Sequence, residues 1–213
     1  MDLKTLAPAR SGNWLTVDGK RKSLGAIQIM DLNLLSKKLK NEYPVPDVAR
    51  PENDKSSAVL VILYTRHHQP HVLLIQRSEK LRLHAGEISF PGGFHEKQDG
   101  TLLDTALRET REELDLDIPA SQVLGLLPPV RTLTGFDIAP FITILDQLPQ
   151  YRKNPNEVQK VLEIPLLPLL STHHPEMGYS PQKQMVAYWY LEHRIWGATA
   201  KILHQIRRLN SRH

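Results

Sequence analysis

The stretch FPGGFHEKQDGTLLDTALRETREEL, residues 90–114, joins a glycine turn to a segment with helical periodicity. Its second half repeats apolar or small side chains on one stripe when each residue advances by about 100°. That stripe consists of Leu103, Leu107, Thr110 and Leu114. We therefore predict a helix over residues 101–114 whose stripe faces the core of the fold.

Three glutamates lie off this stripe, namely Glu109, Glu112 and Glu113. Glu109 precedes the other two by about one helical turn, so the three carboxylates should converge. Like charges at such spacings destabilise a helix by about 0.2 to 0.5 kcal/mol per pair, which a divalent cation would offset. Mg²⁺ is typically bound through one or two carboxylates together with phosphate oxygens and water. The alternative is a solvated acidic face neutralised by Arg108 and Arg111.

The segment before the helix contains groups that suit a phosphate or a metal. Glycine allows close backbone approaches, so the turn at Gly92 and Gly93 can bring a carbonyl oxygen to either ligand. Arg77 and Arg82 bracket a short loop upstream, and guanidinium groups pair well with phosphate oxygens. Taken singly, each arginine is equally consistent with an ordinary surface side chain.

The rest of the chain reads as further helices and strands around this segment. Residues 29–43 have leucines at helical spacing, and a linker rich in proline and acidic residues, 44–54, follows. We predict strands and a last helix from runs of branched residues and amphipathic spacing: strands at 58–66, 71–77, 123–127, 140–145 and 185–191, and a helix at 195–209. This irregular mixture indicates an α/β or α+β fold. The predicted division is an N-terminal arm, 1–54, followed by the main domain, 55–213.

Composition restricts the chemistry. The 213 residues include no cysteine, so we expect neither a disulfide nor a Cys-ligated zinc, and any metal must be held by oxygen or imidazole. A net charge of +4 fits an anionic small substrate, and its basic clusters lack interleaved aromatics, so nucleic acid is not the expected partner. We find neither a span of about 20 apolar residues nor a signal segment, which predicts a cytoplasmic protein without a membrane partner. The leucine-rich helix of the arm should pack on the domain or on a second subunit of a homodimer.

The pairs Arg108-Glu109 and Glu112-Glu113, following a glycine turn, resemble the Nudix box G-x5-E-x7-R-E-U-x-E-E-x-G-U, in which U is apolar. Three positions depart from that pattern. Gly100 stands where the outlying glutamate is usual, with Asp99 beside it. Thr110 replaces the first apolar residue, and Asp115 replaces the late glycine.

A second motif is similar to the extension LLTxRSx3Rx3Gx3FPGG of the coenzyme A pyrophosphatase branch of that superfamily. It begins at Leu73 and ends at Gly93, and it departs only at Ile75, where threonine is usual. Downstream stretches resemble the same branch, so the similarity covers roughly residues 57–206; these stretches are 127–142, 154–170 and 196–203.

The resemblance implies a Nudix-like α/β/α sandwich with a mixed central sheet. It also implies hydrolysis of the diphosphate bond of coenzyme A or acyl-CoA to 3′,5′-ADP and 4′-phosphopantetheine or its acyl derivative. The implied metal ligands for Mg²⁺ or Mn²⁺ are Glu109, Glu112, Glu113 and the carbonyl of Gly92. The implied catalytic residues are Arg108, Glu109, Glu112 and Glu157.

One glutamate would activate the attacking water; Glu109 is the first choice and Glu157, in the segment Asn-Pro-Asn-Glu, is the second. Arg108 would orient the metal-binding carboxylates. The implied substrate contacts are Arg77, Arg82 and Gly93.

Two other functions remain open from the sequence. The first is a Nudix pyrophosphatase acting on ADP-ribose, a dinucleoside polyphosphate or capped RNA, against which the motif from Arg77 to Gly93 argues. The second is a non-catalytic nucleotide-binding module, which would be expected to lose the metal-binding glutamates.

Overall fold

The computed structural model describes residues 14–17, 20–23, 30–46, 55–132, 134–177 and 184–210. Its helices are α1 Leu32–Glu42, α2 Leu102–Leu114, α3 Leu166–Ser171 and α4 Gly197–Asn210. Its strands are β1 Trp14–Val17, β2 Lys20–Ser23, β3 Ser56–Arg66, β4 Gln69–Arg77, β5 Ile88–Ser89, β6 Gly92–Phe94, β7 Val123–Leu126, β8 Val130–Arg131, β9 Asp137–Leu145, β10 Val158–Pro165, β11 His174–Met177, β12 Gln184–Tyr190 and β13 His193–Ile195. In these ranges, no helix combines the length and apolar character that a membrane span requires.

The central sheet is mixed, with the strand order β10-β4-β3-β9-β7. β3 and β9 run parallel, whereas the other pairs are antiparallel. Three short strands pair beside these: β5 with β4, β6 with β3 and β8 with β9. A separate three-stranded sheet has the order β11-β12-β13, and β1 and β2 form a two-stranded sheet.

Both faces of the central sheet are covered, which explains the continuous apolar run of β3. Alternate residues of that strand belong to two cores: Leu60 and Ile62 lie on the side of α2, and Val61 and Leu63 lie on the side of α1, α3 and α4. Side chains of a strand point alternately to opposite faces, so one strand supplies both cores. Helices on both faces of a mixed sheet confirm the predicted α/β/α sandwich.

The leucine-rich helix of the arm packs on the domain. Leu35 and Leu39 are buried in the core on the α4 side, and the carbonyl of Tyr43 accepts a hydrogen bond of 2.9 Å from the Leu126 amide. Of the predicted linker, residues 47–54 lie outside the described residues.

The long predicted elements all occur, and their ends differ from the predicted ones by at most three residues. α1 is shorter than the predicted 29–43, and β9 begins at Asp137 instead of residue 140. Sequence reasoning missed several elements, of which β5, β6 and β10 matter most for the site because they border it. β10 alternates exposed polar and buried apolar side chains only in part, and its pairing with β4 contains a bulge.

Candidate metal centre

The helix α2 is fixed at both ends. The Thr101 hydroxyl accepts a hydrogen bond of 3.1 Å from the Asp104 amide, which is a standard N-terminal cap. Asp115 ends the helix in the left-handed conformation, with φ 55° and ψ 31°, and its amide donates to the Arg111 carbonyl. That position favours glycine, and aspartate is among the residues that tolerate it. The departure from the Nudix box at Asp115 therefore keeps the same helix end.

The predicted apolar stripe of α2 faces the sheet, although not every member is fully buried. Thr110 and Leu114 are buried, while Leu103 and Leu107 are partly buried against the same core. The Thr110 hydroxyl donates a hydrogen bond of 2.7 Å to the Ala106 carbonyl, so threonine is satisfied at a position where the box has an apolar residue.

The two glycines of β6 make room for the glutamates of α2. β6 pairs with β3, with Gly93 opposite Ala58 and Gly92 opposite Val59. A Cβ at Gly93 would overlap the Glu109 carboxylate, and one at Gly92 would overlap the Ala58 carbonyl. The Gly92 amide donates a hydrogen bond of 3.0 Å to Glu113 Oε2. Close packing of backbone against carboxylate therefore requires glycine here.

The pairing of β10 with β4 brings a third glutamate to the same place. Val158 lies opposite Arg77, and the Ser78 amide donates a hydrogen bond of 2.8 Å to the Glu157 carbonyl. The Asn154 side-chain amide donates a hydrogen bond of 3.0 Å to Glu157 Oε1, and this bond orients the Glu157 carboxylate. Asn154 is itself fixed, because its backbone amide donates to the Glu113 carbonyl.

Glu109, Glu113 and Glu157 form the carboxylate cluster, in which one oxygen of each lies within 4.8 Å of the others. Glu113 is buried, with 1% of its surface exposed, and the other two are half-buried. Two arginines neighbour the cluster: the Nη1 of Arg77 lies 3.4 Å from Glu113 Oε1, and that of Arg108 lies 3.0 Å from Glu109 Oε1. The buried Nε of Arg77 has no hydrogen-bond partner among the described residues.

Burial makes ionisation of these carboxyls costly. Burial raises the pKa of Glu113 to about 8, and the nearby Glu109 and Glu157 add to that rise. The Gly92 amide and Arg77 act in the opposite direction and lower this pKa. Burial also raises the pKa of Glu109; Arg108 opposes that rise, whereas Glu112 and Glu157 add to it. A divalent cation would reverse both effects, because it favours the ionised form of every carboxylate around it.

Arg108 joins the cluster to the loop before α2. Its Nε and Nη2 donate to the two oxygens of Asp99, at 2.9 and 3.0 Å, and Nη2 also donates to the Phe94 carbonyl. Its Nη1 donates to Glu109 Oε1 and Glu112 Oε2, both at 3.0 Å. One guanidinium thus fixes two glutamates of α2 against a buried aspartate.

Asp99 anchors this arrangement. Burial would raise the pKa of Asp99, but hydrogen bonds from Arg108, the Glu96 amide and the Thr105 hydroxyl outweigh it and lower that pKa to about 2. Asp99 and Asn154 were not predicted as site residues. Asp99 could have been found from its position beside Gly100, where the box has its outlying glutamate. Only proximity to Glu157 pointed to Asn154.

The structure brings together only part of the predicted set. Glu112 lies outside the carboxylate cluster, because its carboxylate is 48% exposed and pairs with Arg108. All three α2 glutamates were expected to converge. Instead, two of them, Glu109 and Glu113, converge with Glu157. Arg82 is exposed on the loop between β4 and β5, and within the described ranges it has no side-chain hydrogen bond or ion pair.

The cluster suits a hard divalent cation. Its donors are carboxylate oxygens, which Mg²⁺ and Mn²⁺ prefer, and three such groups within 4.8 Å would repel one another strongly without a cation. Gly93 lets the Glu109 carboxylate lie directly against the backbone of β6, where a Cβ would overlap it. The residues therefore fit Mg²⁺ or Mn²⁺.

Comparison with known proteins identifies the family. The family model described as NUDIX domain matches residues 54–163. A protein of Photorhabdus laumondii named "Uncharacterized Nudix hydrolase NudL" is 37% identical over 169 residues, which cover 78% of this chain and 90% of the relative. A protein of the same name from Klebsiella pneumoniae is 38% identical over 158 residues, covering 72% and 82%.

Two solved structures share the fold at low sequence identity. A MutT/nudix family protein from Enterococcus faecalis has a TM-score of 0.53 at 14% identity, covering 86% of this chain and 76% of that one. The NUDIX domain of Shewanella oneidensis NrtR, solved with ADP ribose, has a TM-score of 0.50 at 19% identity, covering 81% and 96%. The family match, the curated relatives and the shared fold together show that this chain belongs to the NUDIX domain family and is a Nudix pyrophosphatase.

Proposed function

We propose that this chain hydrolyses the diphosphate bond of coenzyme A or acyl-CoA, with Mg²⁺ or Mn²⁺, to 3′,5′-ADP and 4′-phosphopantetheine or its acyl derivative. The observation that carries the reaction type is the carboxylate cluster beside Arg77 in a chain of this family. The substrate assignment is supported by the motif from Leu73 to Gly93, whose Arg77 and Gly93 border the cluster.

The cation would be held by Glu109, Glu113 and Glu157. When bound, it stabilises negative charge on a diphosphate under attack and lowers the pKa of a bound water. Glu112 and the Gly92 carbonyl remain predicted additional ligands. Glu112 lies on the same helix and shares Arg108 with Glu109, so it is placed to contribute from the solvent side.

The general base is best assigned to Glu109. One oxygen of Glu109 accepts from Arg108, and the described residues record no hydrogen bond for its other oxygen. Glu113 has both oxygens engaged, by the Gly92 amide and by Arg77, and Glu157 is held by Asn154. A base needs an oxygen that is available to the attacking water, and the second oxygen of Glu109 meets that requirement.

Arg77 would bind the diphosphate. Its Nε is buried without a partner in the described part of the chain, and its guanidinium is only 24% exposed beside Glu113. A buried donor without an acceptor is costly, and a phosphate oxygen would satisfy it with a charge-assisted hydrogen bond. Arg82, on the loop that follows Arg77, is proposed as a second phosphate contact.

Arg108 would act as a positioning residue. Held by Asp99 on one side, it fixes the orientation of the Glu109 carboxylate on the other. Such support determines which oxygen of a ligand faces the metal and usually changes activity or metal affinity by about 10- to 100-fold.

The test is product analysis by chromatography with mass detection. Purified protein is incubated with Mg²⁺ or Mn²⁺ and, separately, with CoA, an acyl-CoA, ADP-ribose, a diadenosine polyphosphate and capped RNA. We expect 3′,5′-ADP from CoA, no products with chelator, and higher kcat/KM for CoA than for the other substrates. Hydrolysis of ADP-ribose or another substrate in preference to CoA would contradict the substrate assignment and leave the reaction type intact.

A non-catalytic nucleotide-binding role is the competing interpretation. It predicts nucleotide binding without metal-dependent turnover of any substrate in the panel. Retention of Glu109 and Glu113 in one cluster argues against it.

A further inference from the structure

A second charged cleft lies beside the carboxylate cluster, between the C-terminal turn of α2 and the loop before β10. It has a volume of about 290 Å³. This size is close to the lower limit of small-molecule sites, about 300 Å³. Its charged lining consists of Arg111, Glu112, Asp115, Arg152 and Lys153.

The cleft is joined to the metal centre through two residues of its lining. Glu112 shares the Nη1 of Arg108 with Glu109. Asn154 also lines the cleft and donates to Glu157. A ligand whose diphosphate lies at the carboxylate cluster therefore has this cleft next to it.

The balance of charge in the cleft is positive. The lining has three cationic and two anionic side chains. Glu112 pairs with Arg108, and Asp115 pairs with Arg152 at 3.1 Å, so Arg152 is already shared with a carboxylate. Lys153 donates to the carbonyls of Val158 and Gln159, which carry no net charge. Among the described residues, Lys153 has no carboxylate partner. For the Arg111 side chain, the described residues show no hydrogen bond or ion pair.

The end of α2 does not cancel this positive charge. A helix C-terminus carries partial negative charge on its last carbonyls. Here the carbonyls of Glu113 and Leu114 accept backbone hydrogen bonds of 2.8 Å from Asn154 and Arg152. The carbonyl of Arg111 accepts from the Asp115 amide. These last carbonyls of α2 therefore already have backbone donors, and the excess of cationic over anionic side chains in the lining remains.

We propose that this cleft binds a phosphomonoester of the substrate, which for coenzyme A is the 3′-phosphate of its ribose. The inference rests on the proposed function. Arg111 would pair with the phosphate oxygens through its guanidinium group. Arg152, whose Nη2 already pairs with Asp115, would donate through its remaining N–H groups, and Lys153 would add a third positive charge. A phosphomonoester carries close to two negative charges at neutral pH, whereas ADP-ribose and dephospho-CoA lack this group. The cleft thus provides a physical basis for choosing coenzyme A over those compounds.

The experiment compares CoA with dephospho-CoA, which differ only by the 3′-phosphate. Steady-state kcat and KM are measured for both substrates with wild type, Arg111→Met, Arg152→Met and the double variant. Arg208→Met is the matched control, because Arg208 is an exposed arginine on α4, on the other face of the sheet. Thermal unfolding checks that each variant is folded.

We expect wild type to have the lower KM for CoA. Each substitution should raise the KM for CoA by roughly 10- to 100-fold, which is the range of a hydrogen bond to a charged group, and leave the kcat for CoA nearly unchanged. For dephospho-CoA, both kcat and KM should stay nearly unchanged. Arg208→Met should match wild type. A substitution that merely loosens the end of α2 would instead impair both substrates equally.

Two results would overturn the inference in distinguishable ways. Equal kcat/KM for CoA and dephospho-CoA in wild type, or equal losses for both in the variants, would refute the phosphate site while the proposed function stands. Turnover of neither compound, with turnover of another substrate, would refute the proposed function and this inference with it.

Discussion

Two carboxylate sites, each at least partly buried, lie on the α2 side of the same sheet and are built in opposite ways. At one, Glu163 accepts three hydrogen bonds, from Tyr64 at 2.8 Å, Arg66 at 2.7 Å and Tyr151 at 3.0 Å. At the other, the three carboxylates Glu109, Glu113 and Glu157 lie close together. Their neighbouring cations are Arg77 and Arg108. The first site supplies donors to one carboxylate, whereas the second concentrates carboxylates.

The pKa values follow this difference. Burial would raise the pKa of Glu163, but hydrogen bonds from both tyrosines and the charge of Arg66 outweigh it, so that pKa is lowered. At Glu113 burial prevails and the pKa rises to about 8. A carboxylate satisfied by the protein is structural, whereas a cluster of under-satisfied carboxylates indicates a cation from solution.

The largest expected effect comes from Glu113→Gln. The side chain keeps its size and its contact with the Gly92 amide but loses the charge that would hold the cation. We expect kcat to fall about a thousandfold, because metal stabilisation is worth several kcal/mol and each ~1.4 kcal/mol is a factor of ten. Steady-state hydrolysis in excess Mg²⁺ measures this, with Glu163→Gln as the matched control that stays near wild type. Equal losses in the two variants would erase the distinction between the sites.

Arg108→Lys should have the next largest effect. Lysine retains the charge but cannot pair with both oxygens of Asp99 while holding Glu109. We expect activity to fall by about 10- to 100-fold, with the Mg²⁺ concentration for half-maximal rate increasing. Rates measured across a Mg²⁺ series test this. Wild-type kinetics in Arg108→Lys would mean that the charge alone suffices.

The two sites should also respond oppositely to pH. Without metal, Glu113 keeps its proton in the folded protein up to a pH of about 8, whereas in the unfolded chain it loses that proton above about 4.5. The contribution of Glu113 to the free energy of unfolding therefore falls as the pH rises from about 4.5 to 8. We expect Glu113→Gln to gain several degrees in Tm over wild type between pH 5 and 9 in chelator. Excess Mg²⁺ should remove that gain, since it binds the ionised cluster. A Tm difference that does not change with pH or Mg²⁺ would contradict the raised pKa.

Glu163→Gln should have the smallest effect, and on stability alone. The pKa of Glu163 is lowered on folding, so its contribution is present above its ordinary pKa and is lost as pH falls. At pH 7 the substitution should cost about 1 kcal/mol, or about 2 to 4 °C in Tm, through weakened hydrogen bonds from Tyr64 and Arg66. The cost should disappear at acid pH. Thermal unfolding at pH 3 to 7 tests this, and a constant cost would indicate lost packing instead.

Local periodicity was sufficient to predict α2, β3 and β4, because their apolar patterns match the faces they bury. The site was predictable only in part for a physical reason. The helical spacing placed Glu109, Glu112 and Glu113 near one another, but which of them meet depends on the pairing of β4 with β10, a contact between distant segments. That pairing adds Glu157 to the cluster, and Arg108 holds Glu112 at the exposed edge.

The anchoring of Arg108 was hidden for the same reason. Asp99 is only nine residues from Arg108, yet their pairing requires the turn after β6 to fold back onto α2, which no local pattern encodes. Likewise, the cleft at Arg111 and Arg152 exists because the loop before β10 pairs with the last carbonyls of α2.

The central claim is that the carboxylate cluster is a divalent-cation site, and Mn²⁺ binding tests it most directly. Electron paramagnetic resonance would count bound Mn²⁺ during titration of wild type, Glu113→Gln, the double variant Glu109→Gln/Glu113→Gln, and the control Glu163→Gln. We predict Mn²⁺ binding in wild type and the control, weaker binding in Glu113→Gln, and none in the double variant at the same concentrations. Unchanged Mn²⁺ binding in the double variant would contradict the assignment.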